Sequence, residues 1–156
     1  MHTLASAFTC QLATIRVATT AGTAFVDLTE RLERIVAEAR IRTGLLNVRT
    51  THTTTGLVVN EDEPLLRQDF EACLERLAPR AAGYAHDDLA RRRGVPADEP
   101  RNGHAHCRAL LLPACAGLTI AGGRLALGRW QRVFLVELDG PREREVSVVV
   151  LGEPAP

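Results

Sequence analysis

The segment from residue 46 to residue 77 restricts the fold most, because its pattern changes from strand to turn to strand to helix. Apolar and polar side chains alternate over residues 46–50, which is typical of a strand with one buried face. Gly56 interrupts the alternation, and residues 57–59 form a second short apolar run. Pro64 suits the first turn of a helix. The chain must therefore place strands and helices close together in one fold.

Apolar residues at helical spacing predict two longer amphipathic helices. The first follows a capping box that begins at Asp27 and is expected to end at Gly44. The second begins near Pro64 and ends at Pro79. A short third helix is expected over residues 103–112, after a long irregular stretch of the chain.

Strand patterns occupy both ends of the chain. β-branched residues and turn dipeptides predict strands over residues 8–20, 118–121, 124–127, 130–138 and 143–151. Gly122-Gly123 is typical of a two-residue hairpin, so neighbouring strands are expected to pair antiparallel. We therefore predict a single α+β domain over residues 1–156, with mainly antiparallel sheets in a sandwich or barrel-like arrangement.

The composition argues against two classes of protein. The chain has 156 residues, of which 46% are apolar and 24% are charged, as in an ordinary globular domain. All 19 basic residues are arginines and they balance 19 acidic residues, so nothing favours a nucleic-acid partner. No apolar run is long enough to cross a bilayer, and no signal-peptide pattern opens the chain. A cytoplasmic protein without a membrane partner is expected.

The four cysteines do not form a Cys-x-x-Cys pair, so a zinc ribbon or a thioredoxin-like site is not expected. Cys10 and Cys73 lie on apolar faces of predicted elements and are expected in the core. Cys107 lies beside His106 in the sequence, where packing is the main interpretation and a role as nucleophile or ligand is the alternative.

Three histidines lie in polar segments of the sequence. His52 is predicted on a strand among threonines, facing inward, and His86 precedes Asp87 in the irregular stretch. His106 follows Asn102 at a spacing of four, so both side chains share one face of the third helix. Three imidazoles with an open position are typical of a zinc site, so we predict His52, His86 and His106 as metal ligands. A surface histidine in a turn, or a core histidine with one hydrogen bond, is the alternative interpretation.

Two further side chains near these histidines have open interpretations. Glu61 either belongs to the acidic first turn of the second helix or turns inward as a ligand or base. His104 lies two residues from Asn102 and points to another face of the helix, so it is expected at the surface.

Several motifs together resemble the YjbQ family. They are residues 52–63, Tyr84-Ala85-His86-Asp87, Asn102 with Ala105-His106, residues 127–128, Trp130-Gln131 and residues 137–142. In this order they extend over nearly the whole chain. The sequence departs from the family pattern at Thr55, Cys107 and Arg129, and in the segment 113–117. Arg129 adds a positive charge next to Trp130.

The resemblance implies a homotrimer with a secondary thiamine-phosphate synthase activity. That reaction joins hydroxymethylpyrimidine diphosphate to thiazole phosphate and releases pyrophosphate, with a divalent metal, zinc or magnesium, as the expected cofactor. Catalytic roles are expected for His52, Glu61, Asp87 and Asn102. Contacts with the phosphorylated substrate are expected from Arg49, Thr53, Thr54, Asn60, Trp130 and Arg142.

Two other functions stay open from the sequence. In a zinc-dependent hydrolase, the three histidines would hold the metal and Glu61 would act as the base that activates water. In a non-catalytic module, the same residues would bind a small phosphorylated ligand without turnover.

Overall fold

The structure is a computed structural model that describes residues 8–96 and 98–155. Within these residues the strands are β1 (Thr9–Ala18), β2 (Ala24–Asp27), β3 (Ile41–Thr50), β4 (Thr55–Glu61), β5 (Cys115–Ala121), β6 (Arg124–Leu125), β7 (Gln131–Glu137) and β8 (Glu143–Pro154). The helices are α1 (Thr29–Ala39), α2 (Pro64–Leu77) and α3 (Gly103–Leu110). Two short 3-10 turns, Ala85–Asp87 and Leu89–Arg91, lie in the irregular stretch before α3.

The strands form two antiparallel sheets. A five-stranded sheet has the order β1-β8-β3-β5-β6, and a three-stranded sheet has the order β2-β7-β4. These sheets, with two longer helices and one short helix, confirm the predicted α+β class and its antiparallel pairing. In the described part of the chain, no helix is long and apolar enough to cross a membrane.

The three-stranded sheet is buried on both faces, because β7 contributes alternate side chains to two apolar clusters. Val133 and Leu135 face a main core that also contains α1 and the five-stranded sheet. Phe134 and Val136 face a smaller core, which Leu74 from α2 completes together with residues of α3. The sheet therefore lies between the main core and the helices α2 and α3.

Gly44 does not end the first helix, which corrects the prediction. The helix ends at Ala39, and Arg40 adopts the left-handed conformation with φ of 51°. Gly44 lies inside β3, where a Cβ atom would stand 2.1 Å from the carbonyl oxygen of Leu151 on β8. The close approach of two strands therefore requires this glycine.

Gly56 does not interrupt the strand pattern either, since it lies inside β4. A Cβ atom there would stand 2.6 Å from the Cβ atom of Leu112, which follows α3.

The strand β2 was not predicted, because its four residues are too few for a clear alternation. The cap of α2 is Glu63, whose carboxylate accepts the N–H groups of Leu65 and Leu66.

The predicted burial of Cys10 and Cys73 is wrong, because both side chains are exposed. Cys10 lies on β1, an edge strand whose outer face no other element of the described chain covers. Cys73 lies on the side of α2 that borders an open cavity. Local apolar neighbours in the sequence did not reveal these positions at the edges of the packed layers.

Candidate functional site

The candidate site lies where β7 ends and α3 begins, and Asp139 is its central acceptor. Asn102 precedes α3 and donates from Nδ2 to Oδ2 of Asp139 at 2.8 Å. The guanidinium of Arg142 donates to the same oxygen from Nε at 3.1 Å and from Nη2 at 3.0 Å. One carboxylate oxygen thus holds the amide of Asn102 and the cation of Arg142 at this end of the sheet.

His86 and His106 meet at the start of α3. Their ring centroids are 4.7 Å apart and the ring planes make an angle of 61°. Asp87 holds the turn that carries His86 against the helix, because its Oδ1 accepts the N–H of Gly103 at 2.8 Å. Burial lowers the pKa of His106, and the neighbouring His86 lowers that pKa further. The imidazole of His106 is therefore favoured in its neutral form.

Arg92 fixes the irregular stretch that carries His86. Its guanidinium donates to the carbonyl oxygen of His86 at 3.3 Å and to Oε1 of Glu99 at 2.8 Å. Its sequence neighbours Arg91 and Arg93 are exposed, as expected for a solvated run of arginines. Arg92 therefore helps to position the segment that carries His86.

Two buried polar atoms at the site have no hydrogen-bond partner within the described residues. They are Nε2 of His86 and Oδ1 of Asn102. Most buried polar atoms in folded proteins are paired, so an unpaired one requires an explanation, of which a bound water or ligand is one. These two atoms border the first turn of α3, one beside His106 and the other on the amide that Asp139 orients.

A buried ion pair supports the end of the sheet behind Asp139. Arg144 donates two hydrogen bonds of 2.6 Å to the carboxylate of Glu137, which is fully buried. Burial alone would raise the pKa of Glu137, but the bonds from Arg144 and from the Asp139 N–H outweigh that effect and lower it. Thr54 accepts a further bond from Arg144 at 3.0 Å, so its buried hydroxyl is part of this support.

His52 lies near this ion pair and is held by the backbone. Its Nε2 accepts the N–H of Glu145 at 2.8 Å, so the lone pair of that nitrogen is already in use. Burial lowers the pKa of His52, and the charge of Arg144 lowers it further. In the described parts of the chain, no three His, Cys, Asp or Glu side chains are grouped to hold a metal ion. The donors of one chain therefore do not fit the predicted three-histidine centre, although His86 and His106 do meet.

Three other predicted site residues lie at the opposite end of the three-stranded sheet. Asn60 and Glu61 end β4, where Glu61 pairs with Gln131, whereas Thr55 at the other end pairs with Glu137. Six residues of strand separate the two ends, about 20 Å. Trp130 precedes β7 at the far end, 60% exposed, with the guanidinium of Arg129 stacked 4.6 Å from its ring centroid. Within one chain, these residues and the histidine pair do not share a site.

The remaining predicted contacts lie around the β3–β4 turn. Thr53 is exposed in that turn, and Arg49 is exposed on the outer face of β3. Neither is brought next to the histidine pair by a contact that the structure shows. Their predicted role in binding a substrate stays a prediction.

His104 is buried, which corrects its predicted place at the surface. It is 4% exposed, its ring centroid is 6.5 Å from that of Tyr84, and its Nε2 has no partner among the described residues. The stretch before α3 packs over this helix and covers a face that the helix spacing alone leaves open. Glu137 was also missed, although a carboxylate within the apolar run 133–138 is a usable signal for a buried partner.

Comparisons with known proteins agree over most of the chain. The family model described as UPF0047 protein YjbQ-like matches residues 13–153. A UPF0047 protein of Archaeoglobus fulgidus is 41% identical over 126 residues, which cover 81% of this chain and 90% of that protein.

Solved structures show the same fold. A YbjQ-like protein of unknown function from Sulfolobus solfataricus P2 has a TM-score of 0.84 at 32% identity, covering 94% of this chain and 100% of that one. A hypothetical protein from Aeropyrum pernix K1 has a TM-score of 0.81 at 33% identity, covering 92% and 99% of the two chains.

Proposed function

Because the chain belongs to the UPF0047 family of YjbQ-like proteins, we propose that the site at the start of α3 binds a small phosphorylated substrate. The observation that carries this proposal is the pair of buried unpaired atoms, Nε2 of His86 and Oδ1 of Asn102. They offer an imidazole nitrogen to a phosphate oxygen and an amide oxygen to a donor group on the same ligand. The specific reaction we propose is thiamine-phosphate synthesis, as the resemblance of the motifs implies.

In that reaction, the bond from the pyrimidine methylene carbon to the diphosphate oxygen breaks and pyrophosphate leaves with the electron pair. The thiazole nitrogen forms the new bond to that carbon. Negative charge develops on the leaving oxygen, where hydrogen-bond donors held in advance lower the barrier most. His86, His106 and Arg142 supply those donors in the proposal. Asp139 acts through Arg142 and Asn102, whose positions it fixes.

We derive no step through a metal ion, because two imidazoles fall short of the ligand set that a zinc centre needs. A zinc ion at this site would need at least one further protein ligand besides the two histidines that the described residues bring together. The predicted zinc-dependent hydrolase has less support than phosphate binding, because the described residues bring together two of the three predicted histidine ligands. Its proposed base, Glu61, lies at the far end of the sheet from the histidine pair.

The homotrimer is part of the same proposal. Leu12 on the edge strand β1 is 79% exposed and Phe8, directly before the strand, is 70% exposed, and an apolar strand edge of this kind can pair with another chain. Assembly also offers a way to bring Trp130 and Glu61 of one subunit towards the histidine pair of another. A cytoplasmic location is proposed with it, as expected for an enzyme acting on phosphorylated metabolites.

The direct test is product formation from the two substrates by the purified protein, measured as thiamine phosphate. Removal of His86 by His86→Ala is expected to lower the rate by about 100-fold or more, as for other groups that act on a leaving group. Arg34→Ala, on the exposed face of α1, is the matched control and should keep the rate. Binding of the pyrimidine diphosphate without any product would favour the non-catalytic module instead.

A further inference from the structure

A second cavity, separate from the histidine site, opens between α2, the segment after α3 and the three-stranded sheet. Its volume is about 240 Å³. Its walls are mostly aromatic and aliphatic, from Phe25, Val58, Phe70, Cys73, Leu74 and Leu112. The cavity is partly open to solvent, and an apolar lining of this kind on a surface cleft is typical of a ligand-binding site.

Contacts on both sides hold the cavity open. Arg108 of α3 is buried and bonds to the carboxylate of Glu75 and to the carbonyl oxygen of Ala78, at 2.9 Å for the latter. These bonds fix the C-terminal half of α2 relative to α3. On the other side, the N–H of Leu57 donates to the carbonyl oxygen of Pro113 at 2.8 Å and holds the segment after α3 on β4. These hydrogen bonds therefore fix the positions of the elements that surround the cavity.

The lining determines what the cavity can accept. Among the described residues no charged side chain lines it, so a phosphorylated molecule would lose its hydration there without compensation. Asn60 is the one polar residue of the lining, and its Oδ1 already accepts the N–H of Glu61 at 2.9 Å. The amide nitrogen of Asn60 is thus the group left to donate. An apolar cavity of about 150 Å³ in another protein binds benzene, so this one has room for a substituted ring.

We propose that this cavity binds an uncharged, ring-containing apolar ligand that carries one hydrogen-bond acceptor. The acceptor faces Asn60, and the ring lies against Phe25 and Phe70, whose own centroids are 5.5 Å apart. Entry is between Leu77 and Leu111, which are 63% and 54% exposed at the rim. This proposal is independent of the phosphate site, since it uses the other end of α3 and no residue of the histidine pair.

The first test is a fluorescence titration with 6-propionyl-2-(dimethylamino)naphthalene, an uncharged aromatic probe whose ketone oxygen is a hydrogen-bond acceptor. Saturable binding is expected in the wild-type chain. Leu77→Trp fills the rim and should weaken binding by about tenfold or more. Leu65→Trp is the matched control, because Leu65 is 66% exposed on the same helix but does not line the cavity. Equal binding by both variants, or no saturable binding by the wild type, would overturn the proposal.

Cys73 provides a second, local readout because its thiol is exposed and lines the cavity. Saturating probe should slow its alkylation by iodoacetamide, followed by mass spectrometry, about fivefold or more, in line with occupancy of the site. The other exposed cysteines, Cys10, Cys107 and Cys115, are internal controls that should react at an unchanged rate. Equal protection of all four would mean nonspecific adsorption and would overturn the proposal. Protection of Cys73 that rises with protein concentration in the absence of probe would assign the surface to a second copy of the chain instead, which also overturns it.

Discussion

The two ends of the three-stranded sheet carry polar residues of opposite character. At one end, Glu137 and Asp139 are fixed by hydrogen bonds from buried or half-buried partners. At the other end, Glu61 and Trp130 are exposed, and the main contact of Trp130 is the stacked guanidinium of Arg129. The first end combines this support with two unpaired buried atoms, Nε2 of His86 and Oδ1 of Asn102. Motif residues at the two ends have similar chemistry, but the fold fixes Glu137 and Asp139 in position and leaves Glu61 and Trp130 exposed.

The largest effect on stability is expected from the ion pair at the supported end. Arg144→Met leaves the buried carboxylate of Glu137 without its cation and should lower the free energy of unfolding by about 3–5 kcal/mol. Denaturant unfolding measures this change. Arg16→Met is the control, because Arg16 and Glu145 form an exposed pair worth about 1 kcal/mol or less. A similar loss of unfolding free energy in the two variants would mean that the buried ion pair stabilises the fold no more than the exposed one does.

A smaller but clear loss is expected when the shared acceptor is removed. Asp139→Ala leaves the buried Nδ2 of Asn102 without its acceptor and should cost about 1–3 kcal/mol of unfolding free energy. The same variant should weaken binding of the pyrimidine diphosphate, since Asn102 and Arg142 lose their positions. Asp69→Ala, exposed on α2, is the control. Unchanged substrate affinity in Asp139→Ala would argue against the positioning role.

The pH dependence of stability tests the burial of three histidines. Burial is the main cause that lowers the pKa of His52, His104 and His106 in the folded chain. The unfolded chain then binds more protons below the ordinary histidine pKa, so stability must fall as pH falls from about 7.5 to about 5.5. His52→Gln should reduce this slope in unfolding experiments at several pH values. A flat or reversed slope in the wild type would contradict the burial of neutral imidazoles.

The smallest effect on stability is expected at the exposed end. Trp130→Ala removes a surface stack with Arg129 and should change the unfolding free energy by about 1 kcal/mol or less. Its effect on product formation then depends on assembly. Mixed subunits of Trp130→Ala and His86→Ala should recover part of the activity if the two ends meet between chains. No recovery, in a mixture shown to exchange subunits, would place Trp130 outside the site.

The residue pattern was sufficient for segments that alternate clearly, such as residues 46–50 of β3 and most of β8, and for the long helix α2. It failed at Gly44 and Cys10, because the approach of β8 and the edge position of β1 are properties of the assembled sheet. Local spacing contains no information about which strand passes closest to a glycine. The same limit explains why Gly56 was interpreted as a break.

The candidate site was predictable in its residue types and only partly in its geometry. Asn102 and His106 follow from helix spacing, but the contact of His106 with His86 depends on the bond from Gly103 to Asp87 and on Arg92. Both bonds involve residues of the irregular stretch before α3, where no periodic pattern exists to predict them. The separation of Trp130 from the histidines follows from strand register, which the sequence left open.

Calorimetric titration with hydroxymethylpyrimidine diphosphate tests the central claim most directly. We predict that His86→Ala and His106→Ala each weaken the Kd by about tenfold or more, which is about 1.4 kcal/mol of binding free energy. Arg34→Ala should bind as the wild type does. Wild-type affinity in both histidine variants, with the fold intact, would contradict the account and remove the histidine end as the phosphate site.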